Sequence, residues 1–441
     1  MSKKDTLIKG TFILTVTGFL SRIIGFFYRI YLSRTFGAEG VGLYQLVFPV
    51  FSLGFSLSAA GIEVALSRLT AQKLSLGKSA EAKQVLFTGI AVSFTISALL
   101  LLGIQTNAQW IAERLLLDGR CKKLLITLSY LFPFASIHSC ICGYYLGQKQ
   151  TKRIAFSQLI EQIVRVVSVY LLCSVFVKRL TPLPVAIMVV GLVLGEIAAS
   201  FYCILTFPST SYISQEQSRH CFRFFKRAKE LLSLSVPLTA NRVLLNLLQS
   251  VEAVSIPGSL LLYGMTHSEA LSLYGILTGM AMPCIFFPSA LTGSIATMLL
   301  PTIAEAQAQG DKQTLTKLMK KVSASVFSLG CFCTACFLLF GNLMGTLLFH
   351  NTTAGKLILI LAWICPFMYT NTTWISMLNG FGKTSSSFLI NTCGLCIRIG
   401  SVCFLIPIFG IIGYLWGLLA SQILISLLSV TCLHRIYKQL H

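Results

Sequence analysis

The sequence predicts an all-α integral membrane protein with about twelve transmembrane helices arranged as two six-helix lobes. Of its 441 residues, 55% are hydrophobic and only 11% are charged, and the mean hydropathy is +0.78. Soluble domains carry about 25% charged residues. Apolar runs of about 20 residues, the length that a helix needs to span the hydrocarbon core, recur along the whole chain. Similar landmarks also recur in its two halves, which indicates a duplicated architecture.

Twelve apolar runs are the candidate spans, and helices are the structure that fits them. A backbone in lipid must satisfy its own hydrogen bonds, and a transmembrane barrel would show short alternating strands instead. The predicted spans of the first half are 7–33, 41–67, 85–108, 124–146, 154–177 and 183–206. Those of the second half are 231–256, 271–300, 315–341, 357–379, 385–406 and 411–433.

The net charge of +21 is explained by the loops between the spans and not by nucleic-acid binding. With the N-terminus inside, the inner segments, the tails and the adjoining inner ends of the spans hold 22 of the 35 lysines and arginines, and the outer loops hold eight. This bias predicts a multi-pass protein of the cytoplasmic membrane with both termini in the cytoplasm. The basic cluster at 219–229 is either an anionic-lipid contact or charge that sets the topology.

A common offset relates landmarks in the two halves. The distance of 233 residues separates Gly77 from Gly310, Gly147 from Gly380, and Arg165 from Arg398. Six spans followed by six, joined by an inner loop, give a parallel repeat with a site expected between the halves near the midplane. The predicted domains are an N-lobe at 1–206, a basic cytoplasmic linker at 207–230 and a C-lobe at 231–441.

Five arginines lie near the middle of predicted spans: Arg22, Arg29, Arg165, Arg242 and Arg398. A charge at the bilayer centre costs about 3 kcal/mol on insertion scales, so five that face lipid would cost on the order of 15 kcal/mol. They are therefore predicted to line a shared hydrated interior that binds an anionic substrate.

Further polar residues follow these arginines at helical spacing and are predicted to support the same site: Gln158, Glu161, Gln162, Asn246, Gln249, Glu252 and Asn391. The alternative is that each arginine pairs with an intramembrane acid and only ties helices together. The candidate acids are Glu63, Glu161, Glu196 and Glu252.

The residue types favour binding of a diphosphate over catalysis. A guanidinium stays charged when buried and binds phosphate through two hydrogen bonds at once. Paired carboxylates at catalytic spacing and a glycine-rich phosphate loop with lysine are both missing from the sequence, so no enzyme is predicted. No cofactor is expected, and coupling to Na⁺, H⁺ or the membrane potential is left open. The fifteen cysteines are interpreted as small packing residues, and the sequence leaves open whether the chain binds a metal.

Several short motifs in both halves point to a known family. They are the stretches 21–29 (SRIIGFFYR), 36–40, 42–45, 273–275, 277–280, 287–297 and 300–311. Together they resemble the stage V sporulation protein B group of the multidrug/oligosaccharidyl-lipid/polysaccharide (MOP) exporter superfamily. The resemblance covers essentially the whole chain, and it implies two MATE-like six-helix lobes that work by alternating access.

The resemblance also implies a function, partners and a binding residue. It implies a flippase that moves an undecaprenyl-diphosphate-linked saccharide, such as a cell-wall or spore-cortex peptidoglycan precursor or a polysaccharide unit. The implied partners are this lipid-linked anionic saccharide and membrane lipids, with cell-wall synthesis proteins as further candidates. The first-span motif is also similar to that of MurJ-type lipid II flippases, where an arginine matching Arg22 lines the cavity. A second cavity arginine there aligns nearer Tyr28 than Arg29.

Two departures and two alternatives accompany this interpretation. Glu63 stands where most relatives are expected to have proline, and lipid II flippases have fourteen spans against twelve here.

A cation-coupled multidrug antiporter of the same superfamily is one alternative function, although it would favour intramembrane acids that the first span lacks. A non-transporting scaffold of a cell-wall complex is the other.

Overall fold

The computed structural model describes residues 3–178, 184–207, 220–308 and 312–440. All regular secondary structure in these ranges is helical, and they contain no strand. The first half comprises α1 (Lys3–Leu46), α2 (Phe48–Phe55), α3 (Gly61–Ser75), α4 (Ser79–Trp110), α5 (Cys121–Ser129), α6 (Leu131–Gly147), α7 (Thr151–Lys178) and α8 (Ala186–Leu205). A π-helical segment, Ser56–Ala60, joins α2 to α3, and another, Ile111–Leu115, follows α4.

The second half begins with one long helix and continues through shorter ones. It comprises α9 (His220–Leu262), α10 (His267–Gly275), α11 (Met282–Phe286), α12 (Ser289–Ala308), α13 (Lys312–Phe349), α14 (Thr352–Leu361), α15 (Cys365–Gly380), α16 (Thr384–Phe404), α17 (Ile406–Phe409) and α18 (Ile411–Leu440). A π-helical segment, Ile276–Ala281, joins α10 to α11, and the 3₁₀ turn Ala362–Ile364 joins α14 to α15.

The predicted all-α membrane fold is confirmed by the lengths and apolar character of these helices. Ten described stretches are long and apolar enough to cross a membrane, or eleven if α5 and α6, which meet at 40°, form one span. One of the ten, Val16–Ser75, has 60 residues, whereas a span needs about 20. It covers most of the first predicted span and all of the second, which are separated at Gly37, where the backbone leaves the helical region (φ 71°, ψ 178°).

Two predicted spans are divided or sharply bent, and a proline lies at each break. The span predicted at 271–300 is divided, because α11 ends at Phe286 and α12 begins at Ser289, after Pro288. The span predicted at 124–146 bends at Tyr130, three residues before Pro133. Proline lacks the backbone N–H that a helix interior needs, and its ring clashes with the carbonyl four residues earlier.

The chain forms two compact units, each with its own core. Unit 1 contains Met1–Gly25 and Leu46–Ser250, and unit 2 contains Phe26–Gln45 and Val251–His441. Within unit 1, α3 packs on α6 and α7 packs on α8; within unit 2, α12 packs on α15 and α16 packs on α18. The second and fourth spans and the fifth and sixth spans of each half therefore pack alike, as a repeat requires.

The predicted lobes and the packed units are defined differently. The lobes follow the order of the chain and stay a prediction, whereas the units assign 26–45 to the second body and 231–250 to the first. Much of the predicted linker at 207–230 lies outside the described residues, which resume at 220.

Candidate functional site

Arg165, one of the five arginines predicted to bind the substrate, is paired with an acid on its own helix. Its guanidinium forms an ion pair with the Glu161 carboxylate one turn earlier on α7, and both side chains are largely buried. Helix α8 lies directly against this turn: a Cβ on Gly195 would be 2.7 Å from the carbonyl oxygen of Glu161. Glycine at 195 thus lets the backbones of α7 and α8 meet at the pair.

A buried histidine lies beside that pair, between α6, α7 and α8. His138 Nδ1 is 2.7 Å from Glu196 Oε1 on α8, and His138 Nε2 is 3.1 Å from Ser157 Oγ on α7. His138 and Glu196 are less than a tenth exposed, and Ser157 is fully buried. His138, Glu161 and Glu196 also place ligand atoms within 4.8 Å of one another. Unit 1 therefore concentrates four ionisable side chains in one buried region.

Glu63, the acid that replaces an expected proline, is also hydrogen-bonded in unit 1. Ser139 on α6 donates to Glu63 Oε2 at 2.7 Å. The two helices approach closely, because a Cβ on Gly143 would lie 2.5 Å from the Glu63 carbonyl oxygen. The charge in the second span is therefore accommodated by a neighbouring hydroxyl on α6.

Arg398, in unit 2, is paired with an acid that is far away in sequence. Its Nε donates to Glu252 Oε1 at 2.7 Å, and the Tyr414 hydroxyl donates to the same oxygen at 2.8 Å. Glu252 is buried, with 3% of its side chain exposed. This arrangement joins α9, α16 and α18. Tyr414 was not predicted from the sequence, because its residue type alone carries no sign of an ionic partner.

Unit 2 has a second buried polar cluster, and its central residue, Asn371, corresponds in the repeat to His138 of unit 1. Asn371 lies 233 residues after His138, which is the offset that relates the two halves. Its Nδ2 donates to the backbone and side-chain oxygens of Gln422, each at 2.9 Å, and its Oδ1 accepts from Ser426 at 2.7 Å. In each half, a buried polar residue of the fourth span therefore bonds to the sixth span.

Arg22 and Arg242 differ from the two paired arginines. Both belong to unit 1 and both side chains are exposed. Within the described ranges, neither lies within ion-pair distance of an acid, in contrast to Arg165 and Arg398. Arg29 is exposed too and belongs to unit 2. The alternative interpretation, that arginines pair with acids, therefore describes the geometry of Arg165 and Arg398.

The remaining predicted polar residues occupy varied surroundings. Asn246 donates to Ser56 Oγ in the π-helical segment, which links α9 to the second span within unit 1. Asn391 donates to the Ser387 carbonyl of its own helix at 3.0 Å. Gln158 and Gln249 are exposed, and Gln162 is half-buried. The substrate-binding role of all these residues stays a prediction.

Two cysteines complete the surroundings of His138. Cys142 on α6 and Cys203 on α8 place their sulfur atoms within 4.8 Å of each other and of a His138 ring nitrogen. All three side chains are buried. The sequence predicts packing roles for the cysteines and does not predict this group. The i, i+4 spacing of His138 and Cys142 was the available signal, but Cys203 comes 61 residues later.

One cavity lies in unit 2, at the break in α1. It has a volume of about 480 Å³ and is lined by Ser33, Arg34, Gly37, Ala38, Met280, Phe349, His350 and Asn351. Arg34 is not free to bind a ligand there, because its Nε donates to the Leu348 carbonyl at 2.7 Å, near the end of α13. The guanidinium thus satisfies a terminal carbonyl of that helix.

Comparison with known proteins agrees with this architecture. Residues 7–307 match the family described as polysaccharide biosynthesis protein. The chain is 26% identical to Stage V sporulation protein B of Bacillus subtilis (strain 168) over 439 residues, which cover 98% of this chain and 84% of the relative. The resemblance to that group is confirmed.

Two solved structures share the fold. The inward closed conformation of the Lipid II flippase MurJ has a TM-score of 0.73 at 15% identity, covering 96% of this chain and 87% of that one. The inward-facing conformation of a multidrug resistance MATE family transporter of the MOP superfamily has a TM-score of 0.70 at 15% identity, covering 98% of each chain. The predicted MATE-like fold and multi-pass membrane location are confirmed.

Proposed function

Because this chain belongs to the polysaccharide biosynthesis protein family, we propose that it moves an undecaprenyl-diphosphate-linked saccharide across the cytoplasmic membrane. On this proposal the chain is a membrane transporter of the MOP superfamily, and its fold is shared by a MATE family transporter of that superfamily and by a lipid II flippase. The proposed substrate is a cell-wall or spore-cortex peptidoglycan precursor, or a polysaccharide unit. The name of its sporulation relative and the description of its family support this choice.

The observation that carries the proposal is the contrast between paired and unpaired arginines. Arg165 and Arg398 are compensated by Glu161 and Glu252. Arg22 and Arg242 are exposed in apolar helices, with no acid at ion-pair distance in the described part of unit 1. A charge that faced lipid would be costly, so these two guanidiniums are expected to face a hydrated volume that an anion can enter.

A diphosphate suits two such groups. Each guanidinium presents a planar fork of donors that binds two phosphate oxygens at once. The hydrophobic tail of the substrate would remain in the bilayer while the charged headgroup crosses beside the arginines. Alternating access would then release the headgroup on the opposite side of the membrane.

No cofactor is proposed for this transport. We propose that its energy comes from Na⁺, H⁺ or the membrane potential. The energy source is identified by measuring the initial transport rate in vesicles with one gradient imposed at a time. Only the gradient that is coupled to transport will raise this rate.

A cation-coupled multidrug antiporter is a second candidate, and the buried acids of unit 1 favour it. Glu63, Glu161 and Glu196 all lie inside the helix bundle of that unit, where a cation could be bound. Each of them, however, already has a hydrogen-bond or ion-pair partner. The unpaired groups, Arg22 and Arg242, have the opposite charge to the one that a cationic drug would require.

The test measures translocation of a lipid-diphosphate saccharide in vesicles reconstituted with the purified full chain. Arg22→Ala and Arg242→Ala are each expected to reduce the initial rate by at least tenfold, with protein amount and insertion unchanged. Arg435→Ala is the matched control, because Arg435 is an exposed arginine near the end of α18, outside the apolar runs. It should leave the rate unchanged.

Other outcomes would contradict the proposal. Transport at the wild-type rate by the double alanine variant would exclude the arginines as headgroup ligands. Gradient-driven uptake of a cationic drug, without movement of the lipid, would favour the antiporter. Failure of the wild-type protein to move either substrate would favour the scaffold.

A further inference from the structure

We propose that unit 1 contains a zinc site built from His138 Nε2, Cys142 Sγ and Cys203 Sγ, with Ser157 Oγ as the fourth donor. The site is independent of the proposed transport function. It would tie α6, α7 and α8 together inside the unit.

The donor atoms surround one small volume. The sulfur atoms of Cys142 and Cys203 and a ring nitrogen of His138 lie within 4.8 Å of one another. Ser157 Oγ is 3.1 Å from His138 Nε2 and 3.7 Å from Cys142 Sγ. The Cys142 thiol contacts both His138 and Cys203, and Cys203 in turn contacts Ser157. Zn–S bonds of about 2.3 Å and Zn–N bonds of about 2.0 Å put tetrahedral donors roughly 3.5 Å apart, so only small shifts would close the site.

A hydrogen bond on the far side of the imidazole supports a metal on the near side. His138 Nδ1 lies 2.7 Å from the Glu196 carboxylate, which makes Nδ1 the protonated nitrogen. Nε2 then turns a lone pair toward Ser157 and the two sulfurs. A carboxylate that orients a histidine in this way is the usual outer partner of a metal-bound imidazole.

The serine hydroxyl lies at the same point. Ser157 Oγ is 3.1 Å from His138 Nε2 and 2.9 Å from the Ile154 carbonyl on its own helix. When its proton is bonded to that carbonyl, an oxygen lone pair faces the same volume as Nε2 and the two sulfurs. A cation in that volume would then be held by four converging donors.

The chemistry of the donors selects the metal. Two thiols and one imidazole form a soft set that favours zinc or copper(I) over magnesium or calcium. Zinc binding would displace a proton from each thiol, and the two thiolates would balance its double charge. The donors are buried side chains from three helices, as expected of a closed structural site and not of a catalytic one with an open position.

The test uses the full chain, purified in detergent and stripped of metal with a chelator. Exposed thiols are first blocked with a membrane-impermeant maleimide, and cobalt(II) is then titrated as a spectroscopic probe. We expect one equivalent to bind with the intense near-ultraviolet absorption of thiolate coordination, and zinc to displace it. Zinc should also raise the unfolding temperature of the wild-type protein.

Matched variants locate the metal. Cys142→Ala and Cys203→Ala should each weaken cobalt binding at least tenfold. Glu196→Gln should weaken it by roughly 10- to 100-fold through the histidine. Cys140→Ala is the control, because Cys140 is a buried cysteine on the same helix that contacts Ser93 instead. It should bind cobalt as the wild type does.

X-ray absorption at the zinc edge covers the case in which a variant fails to fold, since it needs only the wild-type protein. Two sulfur neighbours at about 2.3 Å are expected. A first shell of nitrogen and oxygen alone would overturn the proposal. So would the lack of a thiolate band in the wild type, or its full retention when Cys142 and Cys203 are both replaced. In each case, the contact between His138 and Ser157 would be an ordinary buried hydrogen bond.

Discussion

At the scale of single residues, the arginines of the apolar helices differ in how their charge is balanced. Arg165 takes a partner one turn away on its own helix, and Arg398 takes one from a helix 146 residues earlier. Arg22 and Arg242 have no such partner within the described residues. A buried charge needs an opposite charge, and an exposed charge in a membrane needs water. Structural roles are therefore expected for the first two arginines and binding roles for the second two.

Glu252→Gln is expected to lower stability strongly, because it leaves the Arg398 guanidinium without its counter-charge. Loss of one partner of a buried pair costs about 3–5 kcal/mol. The midpoint of thermal unfolding in detergent is the measurement. The double variant Glu252→Gln with Arg398→Met should recover most of the loss, since no unpaired charge remains. A Glu252→Gln variant that is as stable as the wild type would show that the pair is not buried.

Arg22→Lys and Arg242→Lys are expected to transport poorly while they insert and express normally. Lysine keeps the charge but loses the paired donors of the guanidinium. The loss of one charge-assisted hydrogen bond costs roughly 1.5–3 kcal/mol, which corresponds to about a ten- to hundredfold lower affinity for the headgroup. The measurement is the substrate concentration that gives half-maximal transport, and alanine should be worse than lysine. Equal values for lysine and arginine would indicate attraction by charge alone.

At the scale of helices, small residues decide where the chain breaks and where helices meet. Gly37 separates the first two spans, with a backbone conformation that only glycine adopts readily (φ 71°, ψ 178°). Gly143 and Gly195 instead remain helical and bring neighbouring backbones into contact beside Glu63 and Glu161. Two acids of unit 1 thus lie where glycines let neighbouring helix backbones approach closely.

Gly37→Ala is expected to destabilise the protein, because alanine is strained at that backbone conformation by about 1–3 kcal/mol. Gly25→Ala is the matched control within the same helix: a Cβ there meets no atom within 4 Å, and the backbone is helical. It should be neutral or should raise stability by up to about 1 kcal/mol. Thermal unfolding of both variants in one detergent tests this, and equal effects would contradict the assigned role of the break.

At the scale of the whole molecule, the duplication is visible in packing and in polar positions. The same span pairs pack in each unit, and the 233-residue offset relates His138 to Asn371 as well as Arg165 to Arg398. The units also exchange pieces of the chain, since 26–45 belongs to unit 2 and 231–250 to unit 1. The duplication in sequence therefore does not coincide with the division into packed bodies.

The predicted orientation in the membrane is tested by labelling. Single cysteines replace Ser75, at the end of α3, and Ser268, at the start of α10, in a background without exposed thiols; both serines are exposed. The charge bias places Ser75 inside and Ser268 outside. An impermeant maleimide should therefore label only the cysteine at 268 in intact cells, and both positions after permeabilisation. Labelling at 75 but not at 268 would reverse the topology.

The sequence by itself determined the class, the approximate positions of most spans and the family resemblance of this protein. A run of about 20 apolar residues can only be a helix in lipid, so the spans follow from local composition. The family resemblance rests on short contiguous stretches in both halves, such as 21–29 and 273–275, which are likewise local. Even the two helix breaks have a local signal in the sequence, namely Pro133 and Pro288, although both spans were predicted as continuous helices.

Only the tertiary structure decided which polar residues meet. Glu252 bonds to Arg398 and Tyr414, which follow it by 146 and 162 positions, and Cys203 joins His138 and Cys142 from 61 positions beyond Cys142. An apolar helix is the same string of residues whichever neighbour it packs against, so composition and periodicity cannot specify these contacts. They depend on which helix faces approach each other, and packing of the complete unit determines that.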